Sequence, residues 1–446
     1  MSASKSAPIL AGILVLLAGL VGTGFWYTFR DNGELDDALE ALRLQQYDKA
    51  RQLLLDRLER RPQDAHAHLL LSRVLRRMIP DDLTLARQHL TAARQLLGPN
   101  PEVELEEAML ICQSGWRARE TEADLAGRVA SPETPGDVRL MIYEALVRGH
   151  IRAGRLNAAI RWLDRWIEAL PGQADAHRWR ACLLEYQQRP HLALEDYRAL
   201  AAMQPDNRTL RDHQGVLLAE SGYDYQQAIQ LLGEDFSSRH DPRTVTAQAI
   251  CFYGLGDLVR ARQAVGRALR LDPSYVPAWL WSARIALEAG DAQAGLQAAR
   301  HALAMLPGVS SRQAKVALLE QRSPPLAHPT TYLERLQQLE IQALNQLGSL
   351  QQLQQAMERY RRTQECLARW NQLVENTPAV PDLDNLYQAA QLQLELADCD
   401  EAETLVQRLL EQAPDYPGAM QLLHDCHERR YQARQAMENP PTITEP

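Results

Sequence analysis

Only three of the 48 basic residues are lysine: Lys5, Lys49 and Lys315. The rest are arginines, a bias that fits a GC-rich genome, and they spread along the chain without forming a stripe. The formal net charge of −9 excludes a general nucleic-acid binder, which needs a basic footprint. Aromatics make up only 6% of the 446 residues and glycine is scarce, while Leu, Ala, Gln, Arg and Glu dominate. Such usage favours helix almost everywhere and strand almost nowhere. The six cysteines (Cys112, Cys182, Cys251, Cys366, Cys399 and Cys426) contain no C-x-x-C pair, no haem-attachment signature and no zinc pattern. Each falls in an apolar helical stretch, where it serves as a small buried hydrophobe, and no disulfide framework is expected in so large a helical chain. G-x-x-x-x-G-K-[ST], H-E-x-x-H and G-x-S-x-G are all absent, so neither an enzyme nor a cofactor is expected. A mean hydropathy of −0.37 excludes a polytopic membrane protein, and a hydrophobic content of 46% excludes a disordered chain.

One long uncharged run is present. From Pro8 to Phe29 the chain reads PILAGILVLLAGLVGTGFWYTF, 22 residues that as a helix span about 33 Å, enough for a bilayer core. Phe25, Trp26, Tyr27 and Phe29 crowd its carboxyl end, as in an aromatic belt, and Arg30 and Asp31 follow at once. A cleaved signal peptide would have a shorter apolar region, and Gly22-Thr23-Gly24 lacks the usual alanine cleavage pattern. We therefore expect a short tail at 1–7 and a single transmembrane anchor at 8–29. Arg30, Arg43 and Lys49 favour a cytoplasmic body, whereas a seven-residue tail ahead of a large carboxyl-terminal body favours export. The expectation is a single-pass protein of a bacterial inner membrane with a periplasmic body, a cytoplasmic body being the alternative.

Beyond Arg30 the sequence repeats itself. Pro171, Pro205, Pro273 and Pro307 fall at intervals of 34, 68 and 34 residues. One pattern precedes each: Tyr143, Leu146, Gly154, Ala159 and Leu163 before the first; Ala181, Leu184, Ala193, Tyr197 and Leu200 before the second. Ala249, Phe252, Gly256, Ala261, Val265 and Ala268 lead to Pro273, and Trp279, Ala283, Gly290, Ala299 and Ala302 to Pro307. Two amphipathic helices joined by a tight turn account for the spacing. Alanines let the pair cross closely, large apolar residues fill the gap to the next pair, and the proline ends the second helix. No such unit buries its own face, so stacking is obligatory.

These residues resemble the tetratricopeptide repeat superfamily, and in particular bacterial single-pass membrane-anchored members. The resemblance implies an all-α fold, a right-handed α-α superhelix behind one amino-terminal transmembrane helix. Breaks in phase then divide the chain into a repeat array at 31–322, a proline-rich linker or kink at 323–330 and a helical hairpin at 331–376. A carboxyl-terminal repeat-like unit with a polar capping helix (377–437) and a disordered tail (438–446) complete it. In that capping helix His424, Cys426, His427 and Glu428 are read as a solvated face rather than a metal site. Asn207-Arg208-Thr209 matches a glycosylation sequon by pattern alone.

The resemblance also implies a site. The first helix of each unit lines a concave groove, and its groove-facing places carry Arg73, Arg148, Arg152, Arg178, Trp179, Tyr253, Trp281 and Arg284. Aromatics supply contact area there, while arginine grips carboxylates or stacks. The paired Lys and Asn clamp of some members is missing: its sixth places are Ala145, Trp179, Ala247 and Trp281. Trp162 and Trp166, on a second helix, are expected to pack between units. The function expected is a membrane-tethered scaffold or adaptor binding a protein or peptide partner, with no nucleic acid and no metal. A self-associating structural scaffold and, less favoured, an enzyme with an unrecognised site are the alternatives.

Overall fold

The structure is a computed structural model that describes residues 33–441 except 79, 116–117, 238, 323–325 and 377–381. Among the described residues every regular element is helical, and no helix is long and apolar enough to cross a membrane. The expected anchor at 8–29 and tail at 1–7 lie outside the described residues, as does 442–446. The chain divides into two compact units, Met1–Gly149 and His150–Pro446.

The amino-terminal unit holds α1 (33–43), α2 (Tyr47–Arg60), α3 (Ala65–Arg77), α4 (Leu83–Leu97), α5 (Pro101–Gln113), α6 (Ala118–Ala130) and most of α7 (Gly136–Arg152). Local chemistry sets the helix starts. The side chains of Asp64, Asp82 and Asn100 accept amides from the first turns of α3, α4 and α5, and Pro101 occupies the opening turn of α5, where no donor is needed. Ala50, Ala67, Ala86 and Ala93 are fully buried, so neighbouring helices approach closely while Leu54 and Leu71 fill the space between them. A Cβ on Gly149 would lie 2.2 Å from the Cys112 carbonyl oxygen, so α7 meets α5 there only because residue 149 has no side chain.

The carboxyl-terminal unit begins with α8 (Leu156–Ala169), α9 (Ala174–Tyr186), α10 (Pro190–Met203), α11 (Arg208–Ser221) and α12 (Tyr225–Leu232). It continues through α13 (Pro242–Gly254), α14 (Leu258–Leu271), α15 (Val276–Glu288) and α16 (Ala292–Met305). The period is written in the backbone. Gly154, Gln188, Gly222, Gly256 and Gly290, each 34 residues after the one before, all have left-handed φ between 56° and 82°. That conformation reverses the chain between the two helices of a pair, and glycine adopts it without strain.

After Met305 the stacking departs from the expected boundaries. A short 3-10 turn (Leu306–Gly308) leads into α17 (Ser311–Leu319), only nine residues long, which packs on α9 and on α21 (Cys399–Gln412). The pair that stacks next on α16 is instead α18 (Pro329–Gln346) with α19 (Leu350–Asn376). The array thus runs past 322, with α17 as an excursion from it. The proline-rich stretch expected as a linker or kink is packed over its described part: Ala327 is buried and its amide donates to the Tyr332 hydroxyl at 3.0 Å, while Pro329 opens α18. Then α20 (Leu383–Glu395), α21 and α22 (Ala419–Glu438) complete the unit. Leu422 and Cys426 of α22 close the core of α20 and α21. Its last turn also returns to the array, since Ala436 and Met437 pack on the core that includes α16. That contact extends α22 to Glu438 and comes from a short apolar stripe in an otherwise polar helix.

Candidate functional site

In the amino-terminal unit the arginines of α3 and α7 meet carboxylates of the same unit. Arg76 and Glu106 are both fully buried, with Nε donating to Oε1 at 2.6 Å, and Arg76 also donates to Gln113 at 3.1 Å. Arg77 pairs with Glu144 through two hydrogen bonds of 2.6 and 2.8 Å. Burial alone would push the Glu144 carboxyl up, but Arg77, Arg148 and Arg76 outweigh it and hold the group below its usual range. Arg73 donates to Glu102 at 2.8 Å and lies 3.5 Å from Glu106. Arg148 is buried, donates to the carbonyls of Arg77 and Met78, and lies 3.5 Å from Asp81. Arg73 and Arg148, both expected on a peptide-gripping face, are therefore held within the chain's own ion-pair network.

In the carboxyl-terminal unit the α9 face is covered by the chain itself. Trp179 has no exposed surface; its indole N–H donates to the Leu318 carbonyl at the end of α17, at 2.7 Å, and its ring lies 5.9 Å from that of Trp166. Arg178 is half-buried and donates to Asp175 at 3.1 Å and to Gln321 at 3.3 Å. The other side of α17 is tied to the start of α21. The Ser311 hydroxyl donates to Asp398 at 2.6 Å, the Ser310 hydroxyl to Asp400 at 2.5 Å, and Lys315 pairs with Glu401. His328 lies 3.2 Å from Asp398, and its amide donates to the Tyr186 carbonyl at 3.3 Å. Burial would raise the Asp398 carboxyl, yet His328, Ser311 and the Glu401 amide together hold it below its usual range. Arg178 and Trp179 thus do contact a peptide segment, and it is the chain's own. Arg152 is half-buried.

A charged node sits nearby. Glu185 accepts from the Tyr197 hydroxyl at 2.6 Å and from Arg243 at 2.7 Å, with His213 at 2.9 Å, while Arg243 also reaches Glu220 at 3.1 Å. Burial opposes ionisation of Glu185, but Arg243, His213 and Tyr197 more than reverse it and keep the carboxyl far below its usual range. This node locks together the ends of α9, α11 and α13.

The remaining expected residues gather on an open surface. Tyr253 of α13 and Trp281 of α15, both half-buried, meet edge to face with centroids 5.5 Å apart. The exposed Arg284, one turn after Trp281, places its guanidinium carbon 5.5 Å from the Tyr253 ring and 5.2 Å from the Trp281 ring. Beside Trp281 is a cavity of about 50 Å³, room for a few waters, lined also by Gln188, Tyr275 and Arg335. Arg335 of α18 is exposed and donates to the Gln188 side chain at 3.1 Å. Sequence reasoning missed both of these residues. Gln188 is findable from the 34-residue turn period; Arg335 is not, because the sequence of its helix is out of phase with that period. Of the sixth-place residues, Ala145, Trp179 and Ala247 are buried and Trp281 alone is partly open. Among the described residues no group of three or more His, Cys, Asp or Glu is placed to hold a metal ion, and His427 lies instead 3.2 Å from Glu403. Asn207 serves as the cap of α11.

The tetratricopeptide repeat family model matches residues 30–101 and 246–310, the stretches that contain α1 to α4, most of α13, and α14 to α16. These two stretches, 137 of the 446 residues, are similar to tetratricopeptide repeats. No curated protein matches its sequence. Among solved structures it is similar to a tetratricopeptide repeat protein from Parabacteroides merdae, at 14% identity and a TM-score of 0.31, covering 65% of this chain and 97% of that one. It is also similar to PilW, a type IV pilus biogenesis factor, at 13% identity and a TM-score of 0.29, covering 63% and 97%. A third likeness is to yeast Tom70, at 14% identity and a TM-score of 0.25, covering 91% and 97%. At such scores these likenesses carry nothing about what this chain binds.

Proposed function

We propose that this chain is a membrane-anchored scaffold that holds a protein partner by a segment laid across the Tyr253–Trp281–Arg284 face. Anchored at a bacterial inner membrane with its body in the periplasm, it would gather that partner for assembly of an envelope or membrane complex. The observation that carries the reading is the open aromatic pair with a stacked guanidinium on α13 and α15, whereas Arg73, Arg148, Arg178 and Trp179 are paired or covered. Half-exposed aromatics beside an arginine are the composition of interface anchors. The uncharged run at 8–29 supports the anchor, which raises the local concentration of a bound partner at the bilayer. A pull-down with the intact protein from detergent-solubilised membranes, repeated after Trp281→Ala plus Arg284→Ala, tests the reading. One prey should vanish while thermal stability stays nearly constant. Loss of every prey together with unfolding would assign both residues to the core and sink the proposal.

A further inference from the structure

Taking that face as the binding site, we propose that the bound segment is acidic and that Arg284 and Arg335 read its carboxylates. The argument starts from which arginines the chain neutralises for itself. Arg73, Arg76, Arg77, Arg178 and Arg243 each have a carboxylate of their own unit within 3.1 Å. Arg284 and Arg335 are different. Both are exposed, and neither guanidinium has an ion pair with any described residue. Arg284 rests against two aromatic rings, and Arg335 has only the neutral Gln188 side chain.

In a chain with nine more acidic than basic residues, carboxylates for these two were plentiful. They stand unmatched beside the one aromatic pair left open among the expected contact residues. A guanidinium lying over a ring keeps its N–H edge for acceptors in its own plane, the geometry of two-point carboxylate recognition. Trp281 joins the two cations, because it carries Arg284 against its ring and lines the same small cavity as Arg335. The fitting ligand is therefore a peptide with carboxylates spaced along a short stretch and an apolar residue between them for the Tyr253–Trp281 pair. Single-stranded nucleic acid also stacks on aromatics and arginine. It needs a continuous basic track, however, and two unmatched cations on an acidic chain do not make one.

The test uses the full chain in mild detergent and three fluorescein-labelled dodecapeptides of one apolar pattern, carrying four Glu, four Gln or four Lys, with oligouridine as a fourth probe. Anisotropy titration should rank the Glu peptide about ten-fold or more above the Gln peptide, with the advantage shrinking as salt rises. Arg284→Gln plus Arg335→Gln should erase that advantage, since both side chains are exposed and the fold should melt unchanged. Trp281→Ala should weaken the Glu and Gln peptides alike. Equal binding of the Glu and Gln peptides overturns the acidic preference while leaving the binding face standing, provided Trp281→Ala still weakens both. Indifference to Trp281→Ala removes the face itself, and the acidic reading with it. Failure of the Glu peptide to bind at millimolar concentration, or preference for the Lys peptide or oligouridine, also overturns the proposal.

Discussion

In the amino-terminal unit Arg76 lies fully buried with Glu106 at 2.6 Å, whereas in the carboxyl-terminal unit Arg284 stands in solvent with two aromatic rings beside it and no carboxylate. The two sites share a residue type and a place on the first helix of a pair, yet their physics is opposite. A buried guanidinium must be matched, because leaving water costs several kcal/mol that only a well-placed partner recovers. An exposed one is under no such demand and remains available to a ligand. In the amino-terminal unit the ion pairs bind α3, α5 and α7 to one another. In the carboxyl-terminal unit the same task falls to the Glu185–Arg243 node and to α17, and the surface over α13 and α15 stays open. Arginine content alone thus says little about binding; the partner of each guanidinium decides.

The sharpest way to break this contrast is to remove one half of the buried pair. Glu106→Ala leaves the Arg76 guanidinium without its carboxylate in a dry interior and should cost about 3–5 kcal/mol, read as a large fall in the urea midpoint of the amino-terminal unit. Replacing both partners, as Arg76→Met with Glu106→Leu, should restore most of that stability, because no charge is then stranded. If Glu106→Ala costs less than about 1 kcal/mol, water reaches the pair and the two classes of arginine merge. Arg284→Ala in parallel should change stability by about 0.5 kcal/mol or less, as expected of an exposed side chain.

A smaller effect is expected where α17 meets α21. The folded Asp398 carboxyl sits below its ordinary value, so its contribution is fully present above the unfolded value near 3.8 and fades as the pH falls through the lower folded value. Asp398→Asn removes the charge but keeps an acceptor for Ser311, and should cost about 1–2 kcal/mol at pH 7. The difference between variant and parent should shrink below about pH 4. Hydrogen exchange should show the loss first in 311–322, on the strap covering Trp179. Unchanged protection there would mean that α17 is held by its apolar contacts alone.

How much of this was legible beforehand follows from range. The helix pairs were readable because their causes are local: alanines at crossing points, acidic and Asn caps, and a turn every 34 residues. The course of α17 was not. Its partners, Trp179 and Asp398, are 139 and 87 residues away from Leu318 and Ser311, and nothing in its own nine residues announces them. The site was legible in part. The same repeat positions nominated Arg148, Trp179 and Arg284, and only packing separated a buried donor and a covered indole from an open cation. A repeat register assigns a face; it does not say which part of that face the chain keeps for itself.

The finest comparison lies between two turns. Gln45 in the amino-terminal unit and Gln188 in the carboxyl-terminal unit both hold φ at 56°, where neighbouring repeats of the second unit place glycine. A non-glycine residue in that region carries about 1 kcal/mol of strain, partly offset in a glycine variant by the greater freedom of its unfolded chain. Gln45→Gly and Gln188→Gly should therefore each stabilise their unit by about 0.5 kcal/mol, seen as a small rise in Tm. The two should then part company in binding. Gln188 is the residue that holds Arg335 at 3.1 Å, so Gln188→Gly frees that cation and alters affinity for an acidic peptide, whereas Gln45→Gly leaves it unchanged. If Gln188→Gly destabilises instead, its side chain does more for the packing of α18 than the turn loses through strain, and Arg335 belongs with the structural arginines of the first unit.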